Sequence, residues 1–162
     1  MNLSVASIQD TIKRLKKAQE LVEQAKEVGV QETLEGAYEV VLLNTPIDTG
    51  ATASSTNIEI RDGKARLTQT GDHVFENEFG DGILAGNYPG ERPSSFPTHS
   101  GSYSFIPTDT SSKYYPTYVR KGRALISEGQ IAHAQMYHGS QYVRDNISKI
   151  IQRKVSDALS KI

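Results

Sequence analysis

Glu76 and Glu78 stand two residues apart in Val74-Phe-Glu-Asn-Glu-Phe-Gly80. On an extended strand that spacing places both carboxylates on one face. Carboxylates so paired can share proton-transfer work or hold a cation, whereas on an exposed strand the plainer reading is a solvated acidic face. Four histidines are present, His73, His99, His133 and His138. His133 and His138 are five apart, off the i, i+4 spacing that brings two imidazoles to one zinc ion, and His99 has no carboxylate close in sequence. Polar surface or interface roles suit them better than ligation. The glycines at 80, 82, 86 and 90 follow no strand-then-helix phosphate pattern, and Gly-Lys-Ser/Thr occurs nowhere. No nucleophile, base and orienting group fall together, so the residues predict no catalysis, no metal and no cofactor.

The second group with chemical potential is Asn44-Thr-Pro-Ile-Asp-Thr-Gly-Ala-Thr-Ala-Ser-Ser55. Pro46 cannot continue a helix and biases Thr45 to an extended conformation. Asp48 and Thr49 can bond backbone N–H groups just ahead, and Gly50 can take a positive φ. That is a junction. Asp-Thr-Gly also serves retroviral-type aspartic proteases, but there it follows short strands in a β-rich body, and here it follows a long helix. A third group, Tyr88, Tyr103, Tyr114, Tyr115 and Tyr118 with Lys113, Arg120, Lys121 and Arg123, can stack on bases. With a pI near 6.4 the same tyrosines serve equally as protein-interface anchors, and sequence-specific nucleic-acid binding is not expected.

Composition limits the frame that holds these groups. At 162 residues the chain has room for one core. Its hydrophobic content of 36% and mean hydropathy of −0.48 leave much surface for partners or polar loops. Cysteine is absent, which rules out disulfides and thiolate metal sites. No apolar run approaches the roughly 18 residues of a bilayer span, and Met1-Asn-Leu-Ser lacks a signal-peptide pattern, so a cytoplasmic origin is expected. Net charge is −1, but nine acidic against four basic residues occupy 44–109, and nine basic against three acidic occupy 110–162. Such segments can pair within a molecule or between neighbours, or remain two solvated faces.

Ile8, Ile12, Leu15, Ala18, Val22 and Ala25 step by 4, 3, 3, 4 and 3, which predicts a helix over 5–28 with Ser4 or Ser7 as its cap. Gly29 is expected to break or kink it. A second helical piece follows over 31–43 and stops at Pro46. The pattern then turns to period two, and Asp62-Gly63 predicts a tight hairpin between strands 57–61 and 64–70, with Ile58, Ile60, Ala65 and Leu67 inward. A third strand is expected over 73–79 and a returning one over 103–107. Residues 80–102 hold five of the thirteen glycines and three of the six prolines, an extended loop. Residues 108–129 read as polar linker, and 137–161 as a closing helix striped by Tyr142, Ile147, Ile150, Ile151, Val155 and Leu159. The expected fold is α+β in one domain: helical arm 1–43, turn, hairpin and strand 44–79, loop 80–102, strand and linker 103–129, last helix 130–162. A small antiparallel sheet would be packed by a long N-terminal helix and a C-terminal helix.

In that order, a Pro-x-Asp-Thr-Gly turn after a long helix (Pro46, Asp48, Thr49, Gly50), a Glu-Phe-Gly strand end (Glu78, Phe79, Gly80) and a closing segment Gly129 to Tyr137 resemble the head–tail joining, or tail-completion, proteins of long-tailed bacteriophages. The long 80–102 stretch departs from the short linker usual there. The resemblance implies a structural, non-enzymatic virion protein, assembled in the host cytoplasm. It would form a neck ring of six or twelve subunits that joins head to tail or caps the tail tube. Implied partners are other copies, head connector or stopper proteins, the tail tube protein, and double-stranded DNA passing without sequence specificity; no membrane is involved. Tyr88, Phe96 and Tyr103 are the expected interface-loop anchors, and Glu76 and Glu78 candidates to line the lumen. A head-side stopper or adaptor is the nearest alternative, then a standalone binding module or small hydrolase.

Overall fold

The computed structural model describes residues 5–47, 50–61, 64–71, 74–94, 103–105, 118–121, 124–127 and 129–162. The fold is α+β: a long N-terminal helix, a two-stranded antiparallel hairpin, and a C-terminal helix packed against the first. The chain divides into two compact units, one of 1–39, 57–67 and 140–162, the other of 40–56 and 68–139. Among the described residues no helix is long and apolar enough to cross a membrane.

The first unit is built on most of helix α1, Val5–Asn44, and of helix α4, Gln135–Leu159. The break expected at Gly29 is absent: α1 is one helix of 40 residues, about 60 Å along its axis. Glycine costs a helix interior about 1 kcal/mol relative to alanine. Here it permits close packing: a methyl group at Gly29 would lie 2.9 Å from Ile151 Cγ1 and 3.1 Å from Ile151 Cα. A methyl group at Gly36 would run into the ring of Tyr142. Position 29 against 151 and 36 against 142 makes the pair antiparallel. Ala25, Leu34 and Ala37 are buried on α1, and Thr33 turns its hydroxyl back to Gly29 O at 2.7 Å, which satisfies it inside the interface. Arg153 and Lys154 of the basic last helix both pair with Glu32 on α1, the latter at 2.5 Å.

Strands β1, Asn57–Arg61, and β2, Lys64–Thr68, form the hairpin on either side of Asp62-Gly63, which lie outside the described residues. The inward set is smaller than expected. Ile58 and Leu67 are half-buried, but Ile60 and Ala65 are exposed.

In the second unit the expected strand 73–79 is a helix, α3, Val74–Phe79. Its buried residues Val74, Asn77, Glu78 and Phe79 follow helical spacing, and Gly80 ends it with φ 72° and an N–H bonded to Glu76 O at 2.8 Å. A glycine of this conformation directly after a helix is a stop, so the Glu-Phe-Gly is a helix end and not a strand end. Among the described residues, three small sheets stand where one four-stranded sheet was expected from sequence. Beyond β1–β2, strand β3 (Asp81–Gly82) pairs antiparallel with β7 (Gly129–Gln130), with Asp81 opposite Gln130. Strand β4 (Tyr103–Phe105) pairs with β6 (Ala124–Ser127), which also pairs with β5 (Tyr118–Lys121). The stretch read as linker therefore contains two strands of that sheet. A 3-10 helix, Ile83–Asn87, follows β3, so the front of the stretch read as an extended loop has regular structure.

Candidate functional site

Helix α4 starts without a local cap. The residue before it is Ala134, buried and held at φ 50°, a conformation disfavoured for a residue with a side chain. Alanine has no oxygen to offer the first N–H groups of the helix. Glu78 supplies one from a distant stretch of sequence: Met136 N–H donates to its Oε2 at 2.7 Å and Tyr137 N–H to its Oε1 at 2.9 Å. A carboxylate there is favoured twice, by satisfying orphan donors and by the positive end of the helix dipole. Tyr88 Oη donates a third bond to Oε1 at 3.2 Å. Burial, then the Glu78 charge and that bond, push the Tyr88 hydroxyl up to about 12.

The main chain around this carboxylate is equally engaged. His133 N–H donates to Asn77 O at 2.7 Å and Ala134 N–H to Glu78 O at 3.1 Å. Gln130 Nε2 donates to Asn77 Oδ1. Asn87 bonds both ways with Ala132, accepting its N–H at 2.9 Å and donating to its carbonyl at 3.3 Å. Gly80 passes so close that a methyl group there would lie 2.7 Å from both Ala132 N and Gln130 O. Arg92 donates to the carbonyls of Phe79 and Ala85, which ties 80–92 back onto α3. Phe79, Tyr88 and Tyr137 stack edge to face, with centroids 4.9 and 5.8 Å apart. His133 is half-buried, which holds its imidazole below its ordinary value.

A second polar cluster lies in the same unit. Gln69 Nε2 donates to Thr45 Oγ1 at 3.1 Å and Thr56 Oγ1 at 3.0 Å, and Gln135 Nε2 donates to Gln69 Oε1 at 3.1 Å. Thr45, Thr56 and Gln135 are buried. Gln69 thereby joins the end of α1, the approach to β1 and the start of α4.

The structure brings together Glu78, Phe79 and Gly80 with residues 129–137, the two stretches singled out in sequence. Pro46 and Gly50 flank the turn, and Gly50 has the positive φ expected of it, 77°, at the start of a short helix α2, Ala51–Ser54. Asp48, Thr49, Phe96, His73 and His99 lie outside the described residues. The same-face placement of Glu76 and Glu78 is corrected, because two positions apart on a helix they diverge. Glu78 is buried and Glu76 half-buried. A lumen role for Glu78 would require its three bonds to be given up. Tyr88, expected to wait for a partner, is anchored within its own chain, whereas Tyr103 sits on β4. Tyr137 and Arg92 were not singled out from sequence, since neither the cap nor the carbonyl contacts leave a local pattern. Chemically the arrangement is a carboxylate satisfying donors, and among the described residues no group of three His, Asp or Glu converges as for a metal ion. No protein-family model, curated protein or solved structure matches the chain.

Proposed function

We propose that this chain is a structural protein of the virion neck of a long-tailed bacteriophage. It forms a ring that joins the DNA-filled head to the tail, or caps the tail tube, and leaves a channel for DNA. The observation that carries the reading is the node at Glu78. The Glu-Phe-Gly motif and the closing segment are the stretches that resemble head–tail joining proteins, and they meet in one buried arrangement that starts the last helix. A motif whose work is to set an element in place suits a building block. The partners are other copies of the chain in a heterologous, closing interface, head connector or stopper proteins on one side, and the tail tube protein on the other. Double-stranded DNA passes without sequence-specific contact, and no cofactor takes part.

Native mass spectrometry and negative-stain imaging of the purified chain, alone and mixed with purified tails, test the reading. Rings of six or twelve, or rings seated on tail ends, are expected. A chain that stays monomeric in both settings overturns it. Binding to connectors but not to tails moves it to the head side.

A further inference from the structure

Helix α1 is uneven along its length. Ile8, Ile12 and Leu15 continue the apolar stripe of the helix, yet they are 46%, 48% and 64% exposed. The antiparallel register that sets Gly29 against Ile151 and Gly36 against Tyr142 carries Leu159, the last residue of α4, to about Leu21. Residues 7–17 are all exposed, and the change comes at Ala18. The first part of α1 is thus an arm with an apolar face and no α4 alongside.

Charge divides the helix at the same place. Residues 5–17 carry Lys13, Arg14, Lys16 and Lys17 against Asp10. Residues 18–44 carry six glutamates against Lys26. Lys13 and Lys16 lie on one flank of the apolar arm, and on the shaft Glu20, Glu27 and Glu35 recur on the face turned from α4, with exposed Val28 among them.

We infer that the arm of one copy docks along the exposed acidic shaft of α1 in a second copy, with Ile12 toward Val28 and Lys13 and Lys16 toward Glu27 and Glu35. One continuous helix cannot lay its own arm on its own shaft, so the shaft it meets belongs to another molecule. Arm against arm would set four cations against four, whereas arm against shaft joins opposite signs. The arm, about 20 Å long, matches the reach from Glu20 to Glu35. The contact is heterologous, since a different surface is used on each side, and it deepens the ring reading by naming how neighbours touch.

The absence of cysteine makes the test clean. Ile12→Cys and Val28→Cys copies of the full chain are mixed and mildly oxidised. A disulfide between the two variants, with neither variant linking to itself, is expected. Lys13→Glu/Lys16→Glu and Glu27→Lys/Glu35→Lys are made separately, and retained helical circular dichroism confirms folding at these exposed sites. Each alone should weaken self-association about tenfold or more by sedimentation, and an equimolar mixture of the two should restore it. A wild-type ring with both charge variants assembling normally overturns the arm contact and leaves the ring standing. Open chains restored by mixing support the contact and overturn the ring. Linking of Ile12→Cys to itself, or a wild-type monomer at all concentrations, overturns the contact.

Discussion

The carboxylate of Glu78 does the work of a helix cap from 58 positions before the first N–H it serves, Met136. Glu78→Ala leaves two N–H groups and the Tyr88 hydroxyl without their acceptor, and should cost about 1–3 kcal/mol in urea unfolding. Tyr88→Phe keeps the rings and should cost about 0.5–1.5 kcal/mol. Gly80→Ala meets two backbone atoms at 2.7 Å and a positive φ together, and should cost more than about 1 kcal/mol. Proton linkage gives two further signatures. The Tyr88 hydroxyl is raised to about 12 in the folded chain, so above pH 10 the unfolded phenol ionises first. Its contribution is full below pH 10 and fades towards 12, a limb that Tyr88→Phe should remove. The His133 imidazole is lowered by burial, so its contribution is full above the ordinary value of 6.5 and is lost as pH falls below it. Unfolding midpoints of His133→Gln should be flatter across that acid range.

Among elements, the α1–α4 pair rests on two glycines whose spare space is filled by Ile151 and Tyr142. Glycine to alanine on an open helix face stabilises by up to about 1 kcal/mol. Gly29→Ala should instead destabilise, because the added methyl meets Ile151 Cα, which can move only with its helix. A rise in thermal midpoint for this variant would show that the helices are not so closely packed. The long helices and the hairpin were legible because periods of 3.6 and two repeat over many residues, as from Ile8 to Ala25 and from Asn57 to Leu67. Helix α3 was not. Val-Phe-Glu-Asn-Glu-Phe is too short to show a period of either kind, and Gly80 as a stop with the tertiary bonds of Asn77 and Glu78 decides for helix. Strands β3 and β7 are two residues each, too short for any pattern. Gly29 was misread because composition registers the missing side chain but not the neighbour that occupies its place. At the site, Glu78 and Gly80 were visible as a motif, but their role needs Met136 and Tyr137, which no local spacing connects to them.

At the scale of the molecule, exposed apolar side chains include Ile8, Ile12 and Leu15 on the arm, Val28 on the shaft, Ile60 and Phe75, and Leu43 and Ile47, 86% and 84% exposed, beside Pro46. Where such side chains are contiguous they mark surfaces suited to a partner. If neighbours cover them, stability should depend on protein concentration, with the thermal midpoint rising across a hundredfold range and falling again in Lys13→Glu/Lys16→Glu. Added salt should lower it as well, since exposed charges of opposite sign are screened. A midpoint independent of concentration and salt would count against assembly as the stable state.

The unit made of 1–39, 57–67 and 140–162 is interrupted twice by the other. A ribosome releases α1 well before α4, the helix that covers its buried side. Contacts such as Gly29 with Ile151 span 122 positions, so their closure waits until α4 has been made. Until α4 emerges, α1 lacks the helix that covers its buried side, and apolar surface exposed in this way is open to chaperones or to other nascent chains. Protease pulses on chains stalled before residue 140 should cut within 20–39 readily, and the same bonds should become protected only after α4 is out. If the chain assembles as proposed, its copies would become fit for assembly only once α4 is made, and incomplete copies would be kept out of the ring.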